Sequence, residues 1–199
     1  MLLAALLSAT LVPVQATATE LPAKDREFAV KYLEDTRQKF LASIDGVNDA
    51  QWTFKAAPDR WSIAEAAEHI AISETTILQL ITDKIMKAPP APAAPDRMPD
   101  QKVIDVITDR TAKAQAPEFL RPTNRWATRS ALTKDFNAAR DKTVAYIKTT
   151  TDDLRGHAGP HPALKTIDAY QWVLLLAAHS ARHTAQIDEV KSSAGYPKR

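Results

Sequence analysis

Four long stretches of this chain repeat their apolar residues every three or four positions, the spacing of an amphipathic α-helix. The first spans 21–45, with Phe28, Val30, Leu33, Phe40, Leu41 and Ile44 set among charges; Pro22 suits its start and Gly46 its stop. A connector at 47–60 follows, holding Trp52, Phe54 and a Pro58-Asp59 turn. Ser62-Ile63-Ala64-Glu65 then has the form of a capping box and opens a second helix to about residue 87. Its apolar stripe is Ile63, Ala67, Ile70, Ile77, Ile81 and Ile85. The third helix covers 130–150, with Leu132, Phe136, Ala139, Thr143 and Ile147 inward and Arg140, Asp141, Lys142 and Lys148 outward. The fourth covers 169–191 and is ended by Gly195 and Pro197.

The stretches between them are punctuated differently. KAPPAPAAPDRMP, at 87–99, holds five of the thirteen prolines and predicts a stiff extended crossover. A short helix is expected at 100–114, a loop at 115–129 and a Gly/Pro/His loop at 151–165. Four long amphipathic helices joined by one or two long crossover connections predict an all-α four-helix bundle, formed by one domain over 21–199.

The fourth helix changes the picture from fold to chemistry. Trp172, Leu176, His179, His183, Gln186 and Val190 fall on one buried seam, and two of them are histidines four residues apart. Such a pair lies about 40° apart around the helix and about 6 Å along it, so two ring nitrogens can converge on one ion. Burying two imidazoles beside the apolar run Val173–Ala178 costs a few kcal/mol unless each finds a partner. A backbone carbonyl is one such partner and a metal is another. With five histidines in the chain, the candidate third ligand is His69 in WSIAEAAEHIAISE, placed by the helical wheel at the edge of the second helix's stripe, beside Ala66 and Ser73. Three neutral histidines from two helices, with an open fourth position, have the form of a catalytic-type site for a divalent metal. Zinc suits it best, and nickel, iron or manganese fit by ligand type. H-E-x-x-H chemistry needs Glu directly after the first His, where Ser180 stands, and a di-iron bundle needs Glu-x-x-His on two helices; neither occurs.

Composition narrows the partners. A net charge of +2 with evenly mixed signs and no Lys/Arg cluster argues against nucleic acid and anionic membranes, despite the pI of 8.8. The absence of cysteine excludes disulfides, thiolate zinc sites and a cysteine nucleophile. MLLAALLSATLVPVQATATE carries an apolar run of signal-peptide length and an A-x-A-like Ala16-Thr17-Ala18. It predicts a signal over 1–18 and an exported protein, periplasmic or secreted, with no stable membrane association after cleavage.

Other residues read as support. Glu65 is a candidate base near the metal that the capping box accounts for fully, Gln186 is either core filler or a contact to bound water or substrate, and Glu68 and Arg182 are expected on solvated faces. His157 and His161 flank Gly159-Pro160 and are expected as exposed loop residues; Trp61 and Trp172 are anchors of the core or walls of a pocket.

PDRWSIAEAAEHIAISE, FNAARDKTVAYIKTTTDDLRGHAGPHP and DAYQWVLLLAAHSARHTAQIDEVKSSAGYP together resemble the DinB-like superfamily of metal-binding four-helix bundles, in the version with three histidine ligands. The resemblance implies ligands at His69, His179 and His183, and a metal-dependent hydrolase-like enzyme that activates water for attack on a small-molecule substrate. It also leaves open a metal-dependent thiol S-transferase of the glutathione or bacillithiol type, which export disfavours because small reduced thiols are scarce in oxidising compartments. A non-catalytic metal-binding bundle is the third reading. Bundles of this kind can form homodimers, although no stripe here demands one.

Overall fold

The computed structural model of the chain describes residues 19–92, 97–113 and 115–198. The signal-like segment 1–18 and residues 93–96 of the crossover lie outside the described residues.

Helix α1 (Ala23–Ile44) starts directly after Pro22 and stops where Gly46 takes a positive φ of 63°. The connector contains a one-turn helix, α2 (Asp49–Thr53), with a capping box of its own between Asn48 and Gln51. Helix α3 (Ile63–Leu80) begins at the capping box read from the sequence: Ser62 accepts from the Glu65 N–H at 3.2 Å and Glu65 accepts from the Ser62 N–H at 2.8 Å. Its last turn widens into a π-helix at Ile81–Ile85. Helix α4 (Asp100–Thr108) is the expected short helix, and a 3-10 turn, Glu118–Leu120, sits in the loop before α5 (Arg129–Thr149). The predicted 151–165 loop is irregular over 151–157 and then enters a β-hairpin, β1 (Ala158–His161) paired antiparallel with β2 (Lys165–Asp168). Gly and Pro hide so short a strand in the sequence. Gly159 is nevertheless needed, because a Cβ there would come 2.9 Å from Ile85 of the π turn. Asp168 ends the hairpin and caps α6 (Ala169–Lys191) reciprocally with Gln171.

The four long helices form a square in which α6 and α5 each pack against both α1 and α3. Consecutive long helices α1 and α3 therefore sit on one diagonal, and α5 and α6 on the other. Helix α4 lies outside the square against α6. Both described ends of the crossover are fastened. Ala91 donates to the Gly156 carbonyl at 2.7 Å, and Arg155 bridges Asp25, Asp100 and Asp168, with Arg97 also on Asp168. No helix of the described residues is long and apolar enough to cross a membrane.

The core is divided. One apolar cluster contains Leu33, Ile77, Ile81, Ile147 and Leu174; the other contains Phe40, Ile63, Ile70, Phe136 and Ile187. Between them, at the middle of each long helix, lies a polar layer of Thr36, Glu74, Arg140 and Ser180. Arg140, expected outward, is fully buried. Its guanidinium reaches Glu74 through two nitrogens (Nε to Oε2 at 2.8 Å), and also the Leu33 carbonyl, Thr36 at 2.8 Å and Ser180 at 2.9 Å. Each of the four helices contributes, and the pair is saturated with hydrogen bonds, which is what lets two charges sit in a core. Phe28, counted with the first stripe, is 45% exposed and stacks on Tyr32.

Candidate metal centre

Within about a turn of the polar layer along each helix, α3 and α6 bring His69, His179 and His183 together. One ring nitrogen of each lies within 4.8 Å of the others, and the ring centroids are 4.5–4.8 Å apart. The 4-residue spacing on α6 supplies two of the rings, as its periodicity predicts. His69 is not at an open edge, as the helical wheel placed it: it is 3% exposed, because the Glu118–Leu120 turn closes over it. His179 is the partly exposed member, and so marks the way in.

Hydrogen bonds fix which nitrogens face inward. His69 donates Nδ1–H to the Leu120 carbonyl at 2.8 Å, leaving the Nε2 lone pair for the centre. His183 donates Nδ1–H to Gln186 Oε1 at 2.8 Å, which gives the polar residue one turn further along the seam its role. These tautomers are assigned from the bonding partners. His69 Nε2 and His179 Nε2 are 3.0 Å apart. A tetrahedral ion with bonds of 2.0–2.1 Å to nitrogen would separate its donors by about 3.3 Å, so the cluster needs little adjustment to accept one. The donor set is three neutral nitrogens with no carboxylate among them. The donor set and the outer hydrogen bonds both fit a divalent metal.

All three imidazoles are held neutral. Burial lowers the pKa of His69, against the pull of the Leu120 carbonyl. Burial lowers that of His179 well below the ordinary value, reinforced by His183 and His69. Burial, then His69, brings His183 down to about 3. The sign of the consequence is definite. Below pH ~6.5 the unfolded chain takes up protons that the folded chain refuses, so stability falls as pH falls. Each such histidine contributes at most about 1.4 kcal/mol per pH unit. Urea midpoints of the metal-free protein are expected to drop between pH 7 and 5.5, less steeply in His183→Gln. Midpoints equal across that range would show that the rings are not buried neutral.

The surroundings complete the site. Trp61 lies 4.8 Å from the His69 ring and 5.9 Å from the His183 ring, walling one side. Glu65 is occupied by the cap and by Lys55, so it is not free to act as a base. Glu68 and Arg182, expected on solvated faces, are both clamps. Glu68 is 4% exposed and its carboxylate accepts the backbone N–H groups of Thr123, Asn124 and Arg125. Arg182 donates to the carbonyls of Ile107, Asp109 and Ala112. Nothing in the helical pattern marks either, since both contacts are to backbone more than fifty residues away. His161 is half-buried in the hairpin, edge-on to Trp172 at 5.4 Å, and is not part of the cluster; nor is His157. A groove of about 720 Å³ between Val47, Asp49, Arg129 and Thr133 opens at the head of α5, and none of its lining residues is a histidine.

Comparison with known proteins agrees with this architecture. Residues 32–187 match the family model of the DinB superfamily. YuaE, an uncharacterized protein of Bacillus subtilis (strain 168), is 24% identical over 157 residues, which make up 79% of this chain and 93% of YuaE. Among solved structures, YfiT from Bacillus subtilis, a probable metal-dependent hydrolase with an unusual four-helix bundle topology, superposes with a TM-score of 0.56 at 16% identity. The match covers 92% of this chain and 95% of that one, and at such identity it is a likeness of fold.

Proposed function

The chain belongs to the DinB superfamily, and from that premise we propose that it is a metal-dependent hydrolase-type enzyme in which His69, His179 and His183 hold one divalent ion, zinc for preference. The observation that carries the reading is the convergence of three neutral ring nitrogens within 4.8 Å, two of them locked in the ligating tautomer. YfiT's description as a probable metal-dependent hydrolase supports it. So does a cluster of three ligands with no fourth among the described residues, since purely structural zinc sites are closed by four. When bound, a divalent ion in such a site supplies a Lewis acid that brings the pKa of water towards about 7.

The protein's own share is geometric. Leu120 and Gln186 aim two imidazoles, Trp61 keeps one wall dry, and the exposed side of His179 admits a small-molecule substrate. The signal-like pattern of 1–18 supports placing this activity outside the cytoplasm.

Elemental analysis of the purified protein is expected to find about one equivalent of divalent metal per chain. The cobalt-substituted form should show a tetrahedral visible spectrum and hydrolyse generic ester probes, with a rate rising through neutral pH. A cobalt spectrum altered by low-molecular-weight thiols, with thiol-dependent loss of an electrophile, would replace hydrolysis by thiol transfer. A protein that takes up neither zinc, nickel nor cobalt on titration would overturn the reading.

A further inference from the structure

Glu68 stands directly before His69 on α3, and its carboxylate is buried although it is charged. Its oxygens take the N–H of Thr123 at 2.6 Å, of Asn124 at 2.9 Å and of Arg125 at 3.3 Å. A nearby cation, the Arg125 guanidinium, comes no closer than 3.9 Å through Nε. Three successive amides can face one anion only where the backbone curls into a nest, and Asn124 supplies that curl with a φ of 60°. Asparagine tolerates this left-handed region better than most residues. The anion here is the protein's own side chain.

Three residues before Thr123 stands Leu120, whose carbonyl receives the His69 Nδ1–H. Adjacent residues of α3 thus grip one loop segment at two points, Glu68 at 123–125 and His69 at 120, and Pro122 stiffens the link between them. We propose that Glu68 is a positioning residue of the histidine centre: by anchoring the 123–125 nest it fixes the Leu120 carbonyl, and through it the tautomer and aim of His69. Its effect on metal affinity rests on the function proposed above; its effect on His69 does not. Arg182 is the natural contrast. It grips 107–112, a segment whose clamped carbonyls belong to no residue that bonds a ligand histidine.

The test uses the full chain labelled with ¹⁵N at histidine, first metal-free and then titrated with zinc. In the wild type and in Arg182→Gln, His69 should be a single Nδ1–H tautomer. In Glu68→Gln it should become a mixture of both tautomers, while His183 keeps its own and the helical circular dichroism is unchanged. Zinc affinity should fall tenfold to a hundredfold, the range for loss of an outer hydrogen-bond partner. Thr123→Pro, which deletes the shortest of the three amide contacts and leaves Glu68 intact, should shift the His69 tautomer in the same direction if Glu68→Gln does not fold. A His69 that remains wholly Nδ1–H in the folded variant overturns the proposal. Mixed tautomers in a protein whose wild type binds no zinc would uphold it and remove the metal function instead.

Discussion

Arg140→Met is expected to lower the stability of the protein by about 3–5 kcal/mol, the range for breaking a buried pair from one side. The loss comes from what stays behind. Glu74 is 1% exposed, and without Arg140 it keeps the Ser180 hydroxyl, which cannot neutralise a carboxylate in a core. In the same substitution the Thr36 hydroxyl loses the donor it accepts from, and the Leu33 carbonyl is left with the Thr36 hydroxyl as its side-chain donor. Removing both charges is a different experiment. In Arg140→Met with Glu74→Leu the desolvation penalty disappears along with the attraction, and most of the loss should be recovered. Urea unfolding of the two single variants and the double variant reads this directly. A single-variant loss below about 1 kcal/mol would mean that water reaches the pair.

The second large effect concerns the metal. His179→Ala should weaken zinc or cobalt binding by about a thousandfold, since one ligand of three carries on the order of 4 kcal/mol of a ~12 kcal/mol binding free energy. The metal-free fold should hold, because His179 is the partly exposed member of the three and its truncation opens towards solvent. His161→Ala, in the hairpin, is the control and should leave affinity where it was. Competition titration against a chromophoric chelator measures both. Equal affinity in His179→Ala and the wild type would move the binding site elsewhere.

Most of the bundle could be read from the sequence because its helices are written in one period and punctuated by ordinary caps. Ser62/Glu65, Pro22 and Gly46 set boundaries that the structure reproduces to within two residues. The histidine cluster was legible for a similar reason: a 4-residue spacing on a buried seam is a local feature. Its closure over His69 was not, because Leu120 is fifty-one residues away and acts through a carbonyl, which every residue has. Glu68 and Arg182 escaped for the same cause. The hairpin is hidden by Gly159 and Pro160, which read as loop; the fit of Gly159 depends on Ile85 and Trp172.

Arg140 is a different kind of miss. Phe136, Thr143, Val144 and Ile147 bracket it at the spacings of the buried stripe, and Ile70 and Ile77 bracket Glu74 in the same way. Two opposite charges placed on two inward stripes was the available signal, and the charged run Arg140-Asp141-Lys142 masked it.

The layered core has a consequence for anyone rebuilding this protein. The two apolar clusters name no residue in common, so Phe136 and Ile147 on one helix belong to different halves. Substitutions in separate halves, sharing no partner and well apart, should combine additively, whereas changes within one half will interact. The bundle is in that respect two small jigsaw puzzles joined at a polar seam. Either can be repacked for heat resistance, or carved for a new substrate, while the other is left as it stands.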